Sequence, residues 1–238
     1  MATITAGKYG NIYASSTDSW IFARGAATGV AAQNQSTSTN TEQMRVYYVS
    51  GGKGSEWLIR RMFLAFDATA YQTGYTITDL KLYYKPTTST TGSTGGGMKM
   101  ALVKSTAQGD ADADLTTSDF NNFDDTVDYA ANDGSLDNTW RDLSTLSSVD
   151  LNSTAISAIT STGYLKICIM EYLYDYPDTA PTLSGTNMRA FANFSTVPYL
   201  SFTATALGYG NDVIGVSSSN IDEVISVATA NINEIIGA

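Results

Sequence analysis

Residues 57–66 read Trp57-Leu58-Ile59-Arg60-Arg61-Met62-Phe63-Leu64-Ala65-Phe66. The run is aromatic and aliphatic, and Ser50-Gly51-Gly52 breaks the chain shortly before it. Such a stretch bounded by turn residues reads as a β-strand. Strand alternation sets Arg60 and Arg61 on opposite faces, so at most one of them points inward. An ion pair with Asp67 or another loop aspartate is the simplest use for it.

The same pattern recurs on either side. Upstream lies Met44-Arg45-Val46-Tyr47-Tyr48-Val49. Downstream come Tyr75–Thr78, then Asp79–Lys85 (DLKLYYK), closed by Pro86. Met98–Val103, Tyr164–Tyr174 (YLKICIMEYLY) and Tyr199–Thr205 (YLSFTAT) follow. Short runs of period near two, separated by turn signals, indicate an all-β antiparallel two-sheet sandwich. Phe63, Leu80, Leu82, Leu102, Ile167, Ile169 and Leu200 are expected to face its interior. Helix signals are few. Ser153–Ile159 reads as one short helix, and a second is expected after Thr117-Ser118-Asp119. Residues 86–97 (PTTSTTGSTGGG) read as a flexible connection. The Asp-rich stretch 105–142 is too long to be structureless, and Phe120, Phe123 and Trp140 are its expected anchors.

The chain has 238 residues, of which only 15% are charged, against a norm of about 25%. Serine and threonine, 25 and 32 in number, fill the gap. Thirteen basic and 23 acidic residues give a net charge of −10, which argues against a nucleic-acid partner. There is no histidine, which removes Ser-His-Asp and Cys-His catalysis and histidine-ligated metals. One cysteine, Cys168, allows neither an internal disulfide nor a thiolate cage. It reads as a small buried hydrophobe between Ile167 and Ile169. Catalytic motifs such as G-x-S-x-G and the P-loop do not occur, so no enzyme is expected. The start, Met1 to Lys8, lacks the pattern of a signal peptide, and no apolar run is long enough for a membrane span. The expected product is a soluble protein made in the cytoplasm.

Arg60–Asp67 followed by Gly74–Tyr83 resembles the core of DNRLRE-type domains, which are similar to the jelly-roll carbohydrate-binding modules of family 6. Leu115–Phe120, Trp140–Leu143, Gly163–Ile167, Phe191–Ser195 and Pro198-Tyr199-Leu200 with Phe202 fit the later parts of that pattern. The resemblance covers residues 10–205 and implies a jelly roll. One position departs from it: where the family places alanine, this chain has Asp79, or the pattern is displaced by one residue.

Residues 208–238 are different. Val213-Ile214-Gly215-Val216, Val224-Ile225-Ser226-Val227 and Ile235-Ile236-Gly237-Ala238 recur at a spacing of 11, as do Asn220-Ile221 and Asn231-Ile232. This tail resembles those of virion structural proteins of tailed bacteriophages. Its apolar residues are Val213, Ile214, Val216, Ile221, Val224, Ile225, Val227, Ile232, Ile235 and Ile236. Exposing them to water costs about 25 cal/mol per Å². They are therefore expected to pack against other copies of the chain, as a trimer, or against another virion protein. The tail can be read as an 11-residue-repeat helix or as short extended pieces, and the β-branched clusters favour the second.

Two further groups are candidates for ligands. Asp110, Asp112 and Asp114 alternate like the start of a calcium loop, but the glycine and closing glutamate of an EF-hand are missing. A solvated acidic run is the stronger reading, although structural calcium is frequent in the resembled family. Tyr172, Tyr174 and Tyr176 alternate as on one strand face, where rings can stack on sugars. Packing under a loop is the competing use and the favoured one. Together these readings divide the chain into a sandwich, 1–207, and an assembly tail, 208–238. They imply a phage virion protein displayed on the particle exterior as a capsid decoration, fibre or tail-associated adhesin. The alternative is a carbohydrate-binding or adhesive module of a secreted cell-surface protein.

Overall fold

The computed structural model describes residues 1–17, 19–35, 44–51, 54–86, 99–109, 113–131, 138–139, 146–181, 187–189, 194–207, 223–224 and 227–228. In chain order its elements are β1 (Ala2–Thr5), β2 (Lys8–Ser16), α1 (Trp20–Arg24), β3 (Ala31–Gln35), β4 (Arg45–Gly51) and β5 (Gly54–Asp67). Then come β6 (Tyr75–Pro86), β7 (Lys99–Ser105), β8 (Phe123–Asp128), β9 (Asn138–Thr139), β10 (Ser147–Asp150) and α2 (Ser153–Thr162). The series ends with β11 (Tyr164–Glu171), β12 (Asn187–Arg189), β13 (Phe194–Ala206), β14 (Glu223–Val224) and β15 (Val227–Ala228).

The fold is an all-β antiparallel sandwich. The smaller sheet has the order β1-β13-β6-β10. The larger is organised around β5, which pairs with β4 along 54–60, with β11 along 62–67 and with β2 along 57–65. A strand has two edges, so β2 takes one and β4 followed by β11 takes the other. β7 and β8 extend the sheet beyond β11, and β3 extends it beyond β2.

Alternation along β5 explains its apolar run. Met62, Leu64 and Phe66 enter the core between the sheets, together with Leu80, Leu82, Leu102, Ile167, Ile169, Leu200 and Phe202. Ile59 and Phe63 point the other way into a second core with Trp20, Val103, Phe120 and Cys168. The expectation that Phe63 faces the sandwich interior is thus corrected. Its neighbours on both sides take that face, and the outer surface of the larger sheet is itself covered. A strand buried on both faces needs an almost unbroken apolar sequence. Burial also pushes the Cys168 thiol up, as expected of an inert hydrophobe.

Asp79 marks a bulge. Opposite β13 the register slips between Ser201 and Thr203, and Asp79 takes φ 55°. Aspartate tolerates this left-handed region better than most residues do. Past the bulge Leu80, Leu82 and Tyr84 again face the core.

The helix expected at 153–159 runs from Ser153 to Thr162. Asn152 caps it by accepting the N–H groups of Thr154 and Ala155 at 3.0 and 3.1 Å. Gly163 ends it at φ 75°. The short helix expected after Thr117-Ser118-Asp119 is a 3-10 helix that starts earlier, at Thr117, and runs to Asn121, opened by a Thr116–Asp119 capping box. No sequence signal had pointed to α1. Ser19 caps it, and Trp20 and Ala23 bury while Ile21 and Phe22 face solvent.

Candidate functional site

The end of the sandwich from which the tail departs is assembled by three chain segments. β5 ends at Asp67, whose Oδ1 accepts both the N–H and the hydroxyl of Thr69, at 2.9 and 2.7 Å. That turn delivers the chain to β6, where Tyr75 lies opposite Ala206 of β13. The next N–H, of Leu207, donates to the Gly74 carbonyl at 2.8 Å. Ala2 lies opposite Phe202, so the N-terminus reaches the same end. Tyr71 packs edge-on against both Tyr75 and Phe202. Met1, Tyr75 and Leu207 are exposed here, Leu207 at 51%.

The described members of both cores lie upstream of Leu207. Of the ten tail positions only Val224 and Val227 lie within described segments. There Glu223–Val224 pairs antiparallel with Val227–Ala228, with Val224 opposite Val227. Val213, Ile214, Val216, Ile221, Ile225, Ile232, Ile235 and Ile236 lie outside the described residues.

The far end of the strands carries a different surface. α1 packs near Trp57, and the Trp20 and Trp57 rings meet edge-on at 5.4 Å. Strands rise about 3.3 Å per residue, so the ten residues from Trp57 to Asp67 separate the two ends by about 33 Å. Ile21 and Phe22 are 75% and 66% exposed at this far end.

Under α1 the outer core holds a buried arginine. Arg61 is fully buried, and its Nε and Nη2 donate to the two carboxylate oxygens of Asp175 at 2.9 and 2.7 Å. Nη1 donates to the Phe120 carbonyl and to Asn121 Oδ1, and Nη2 also donates to the Arg24 carbonyl. Every guanidinium hydrogen therefore has an acceptor. The Phe120 and Phe123 rings lie 4.2 and 4.5 Å from its Cζ. Arg24 reaches the same turn through Asp175 O and pairs with Asp125 at 3.2 Å. The arrangement fastens α1, the 3-10 turn and residues 172–178 to the sheet, and all of its polar groups face one another rather than a cavity.

Tyr172, Tyr174 and Tyr176 do not share a strand face, which corrects that expectation. β11 stops at Glu171, whose buried carboxylate accepts the N–H groups of Leu173, Tyr174 and Asp175. Those bonds curl residues 172–178 into turns instead of continuing the strand. The three tyrosines pack partly buried against the outer core, and the Tyr172 and Tyr176 rings stack at 5.8 Å. They belong to the turn itself and pack its inner side onto the outer core.

Asp114 is paired with Lys8 at 2.8 Å. Asp110, Asp112 and Trp140 lie outside the described residues. Among the described residues no three acidic or sulfur side chains gather as metal ligands, and no helix is long and apolar enough to cross a membrane. No family model matches the chain, and no curated protein matches it.

Proposed function

We propose that the chain is a virion structural protein of a tailed bacteriophage, with a jelly-roll sandwich displayed on the particle and residues 208–238 as its assembly device. The observation that carries this proposal is where the tail starts. Sandwich pairing closes at Leu207, whose N–H donates to the Gly74 carbonyl at 2.8 Å. The apolar 11-residue repeat begins just past that point.

Two and a half copies of such a repeat are too short to bury their own apolar side chains. They gain cover by packing against the tails of other copies, with a trimer as the expected stoichiometry, or against a neighbouring virion protein. The role requires no catalysis. The most elaborate polar cluster, around Arg61, is spent on holding loops in place. The experiment is mass spectrometry of purified particles from the phage that encodes the chain. Stoichiometric presence is expected, and absence from intact particles refutes the proposal.

A further inference from the structure

β1 closes one side of the smaller sheet, and among the described residues no strand pairs with its other edge. The Ala6 N–H donates to the Pro198 carbonyl at 2.9 Å. Antiparallel ladders alternate, so Ile4 opposite Leu200 and Ala2 opposite Phe202 also bond to β13. The N–H and C=O groups of Thr3 and Thr5 therefore point the other way, to the open edge. Both threonines are exposed, while Ala2 and Ile4 are half-buried at the margin of the inner core.

An open row of this kind is a template for a further strand unless charge, proline or a bulge blunts it. Other edges are blunted. β10 carries Asp150, which pairs with Lys81, and β8 carries Asp124, Asp125 and Asp128. On β3 the Asn34 side-chain amide exchanges two hydrogen bonds with the Leu115 backbone, at 2.8 and 2.6 Å. β1 has no charged residue or proline between Ala2 and Gly7, and its register with β13 is unbroken. A second copy fits this edge best. The outward groups of Thr3 and Thr5 are spaced evenly about Ile4, so a two-fold rotation makes the edge complementary to itself and the pairing antiparallel. In a protein of net charge −10, an uncharged edge is also where two copies meet without opposing like charges.

We propose that two copies of the chain pair along β1 about a two-fold axis at Ile4, joining their smaller sheets into one. Thr3 of each copy exchanges backbone hydrogen bonds with Thr5 of the other. The two Ile4 residues form the non-hydrogen-bonded pair between them, with Cα atoms about 4.5 Å apart, and their side chains close the margins of both cores. These bonds and one isoleucine pair fall well short of a standard interface of about 800 Å² per partner. The contact is therefore transient in dilute solution, where the sandwich sediments as a monomer, and it fills where copies are held close together. Crowding on a particle rests on the proposed function, whereas the pairing itself uses sandwich residues only.

The test is oxidative cross-linking of the full-length chain carrying Ile4→Cys or Thr3→Cys, read as disulfide-linked dimers on non-reducing gels. Cys168 is fully buried and stays out of the reaction. A disulfide needs Cα atoms within about 7 Å, which the Ile4 pair meets, whereas the two Thr3 positions lie about 8–9 Å apart. Ile4→Cys is expected to cross-link about tenfold faster than Thr3→Cys, and a mixture of Thr3→Cys with Thr5→Cys to cross-link as well. Adding Thr5→Pro to Ile4→Cys removes one outward N–H from each copy at a position where an edge strand tolerates proline, and should slow the reaction about tenfold. Thr5→Lys, a charge on the exposed edge, is the second variant and should slow it too. Circular dichroism and thermal unfolding check that the variants keep the fold. Three results overturn the proposal: no dimer from Ile4→Cys, equally fast cross-linking of Thr3→Cys alone, or unchanged cross-linking in folded Thr5→Pro and Thr5→Lys variants.

Discussion

Asp175 accepts two charge-assisted hydrogen bonds from Arg61, at 2.9 and 2.7 Å, although 114 residues separate them in sequence. Both side chains are fully buried. Removing one partner from such a pair strands the other charge in the interior, at a cost of about 3–5 kcal/mol. Asp175→Asn and Arg61→Ala are each expected to lower unfolding stability by about that amount in urea titrations. A loss below about 1 kcal/mol, the level of a surface pair, contradicts the clamp.

Glu171 sets a pH dependence of unusual sign. Burial pushes its carboxyl up to about 7, against the three N–H groups that hold it. The folded state therefore binds a proton more readily than the unfolded chain, whose carboxyl titrates near 4.5. Over that window stability falls as pH rises, and above about 7 this contribution is flat. Asp67 and Asp124, which Thr69 and Thr126 hold below the ordinary aspartate value, act only at more acid pH. The melting temperature is expected to be higher at about pH 5 than at about pH 8, and Glu171→Gln should flatten the difference. A rise in stability from pH 5 to 8 that survives in Glu171→Gln contradicts this assignment.

Gly163 permits the sharp passage from α2 into β11. Its φ is 75°, and a Cβ there would meet Thr69 Cγ2 at 2.7 Å. Gly163→Ala is therefore doubly penalised, by backbone strain of about 1 kcal/mol and by displacement of the turn after β5. Thermal unfolding should show a loss of at least that size, and a stabilised variant contradicts the left-handed cap.

Calcium is expected to leave the melting temperature unchanged. Asp114 already has Lys8 at 2.8 Å, so a cation must displace an existing partner. A ligand that binds only the native state raises stability by mass action. A clear rise in millimolar calcium, reversed by chelator, assigns Asp110, Asp112 and Asp114 to a metal after all.

The sandwich was legible because strand alternation and turn punctuation are local signals. The β5 run and the helix at Ser153 read out directly from neighbouring residues. Phe63 was assigned to the wrong face because alternation gives two faces without saying that both are covered. The tyrosine series failed for another reason. Its alternation continues that of β11, and the sequence does not show that Glu171 turns back to accept three backbone N–H groups. The Arg61–Asp175 pair was open only in outline, since its partner could be any loop aspartate until the turn was placed.

The most direct test of the proposed role is a truncation after Leu207, compared with the full chain by sedimentation velocity and by incorporation into particles. The sandwich closes at that residue, so the truncated protein should remain folded and cooperative in unfolding. It should be monomeric and absent from particles, whereas the full chain should oligomerise and be incorporated. A truncated protein that oligomerises and enters particles as the full chain does would contradict the assignment of residues 208–238 to assembly.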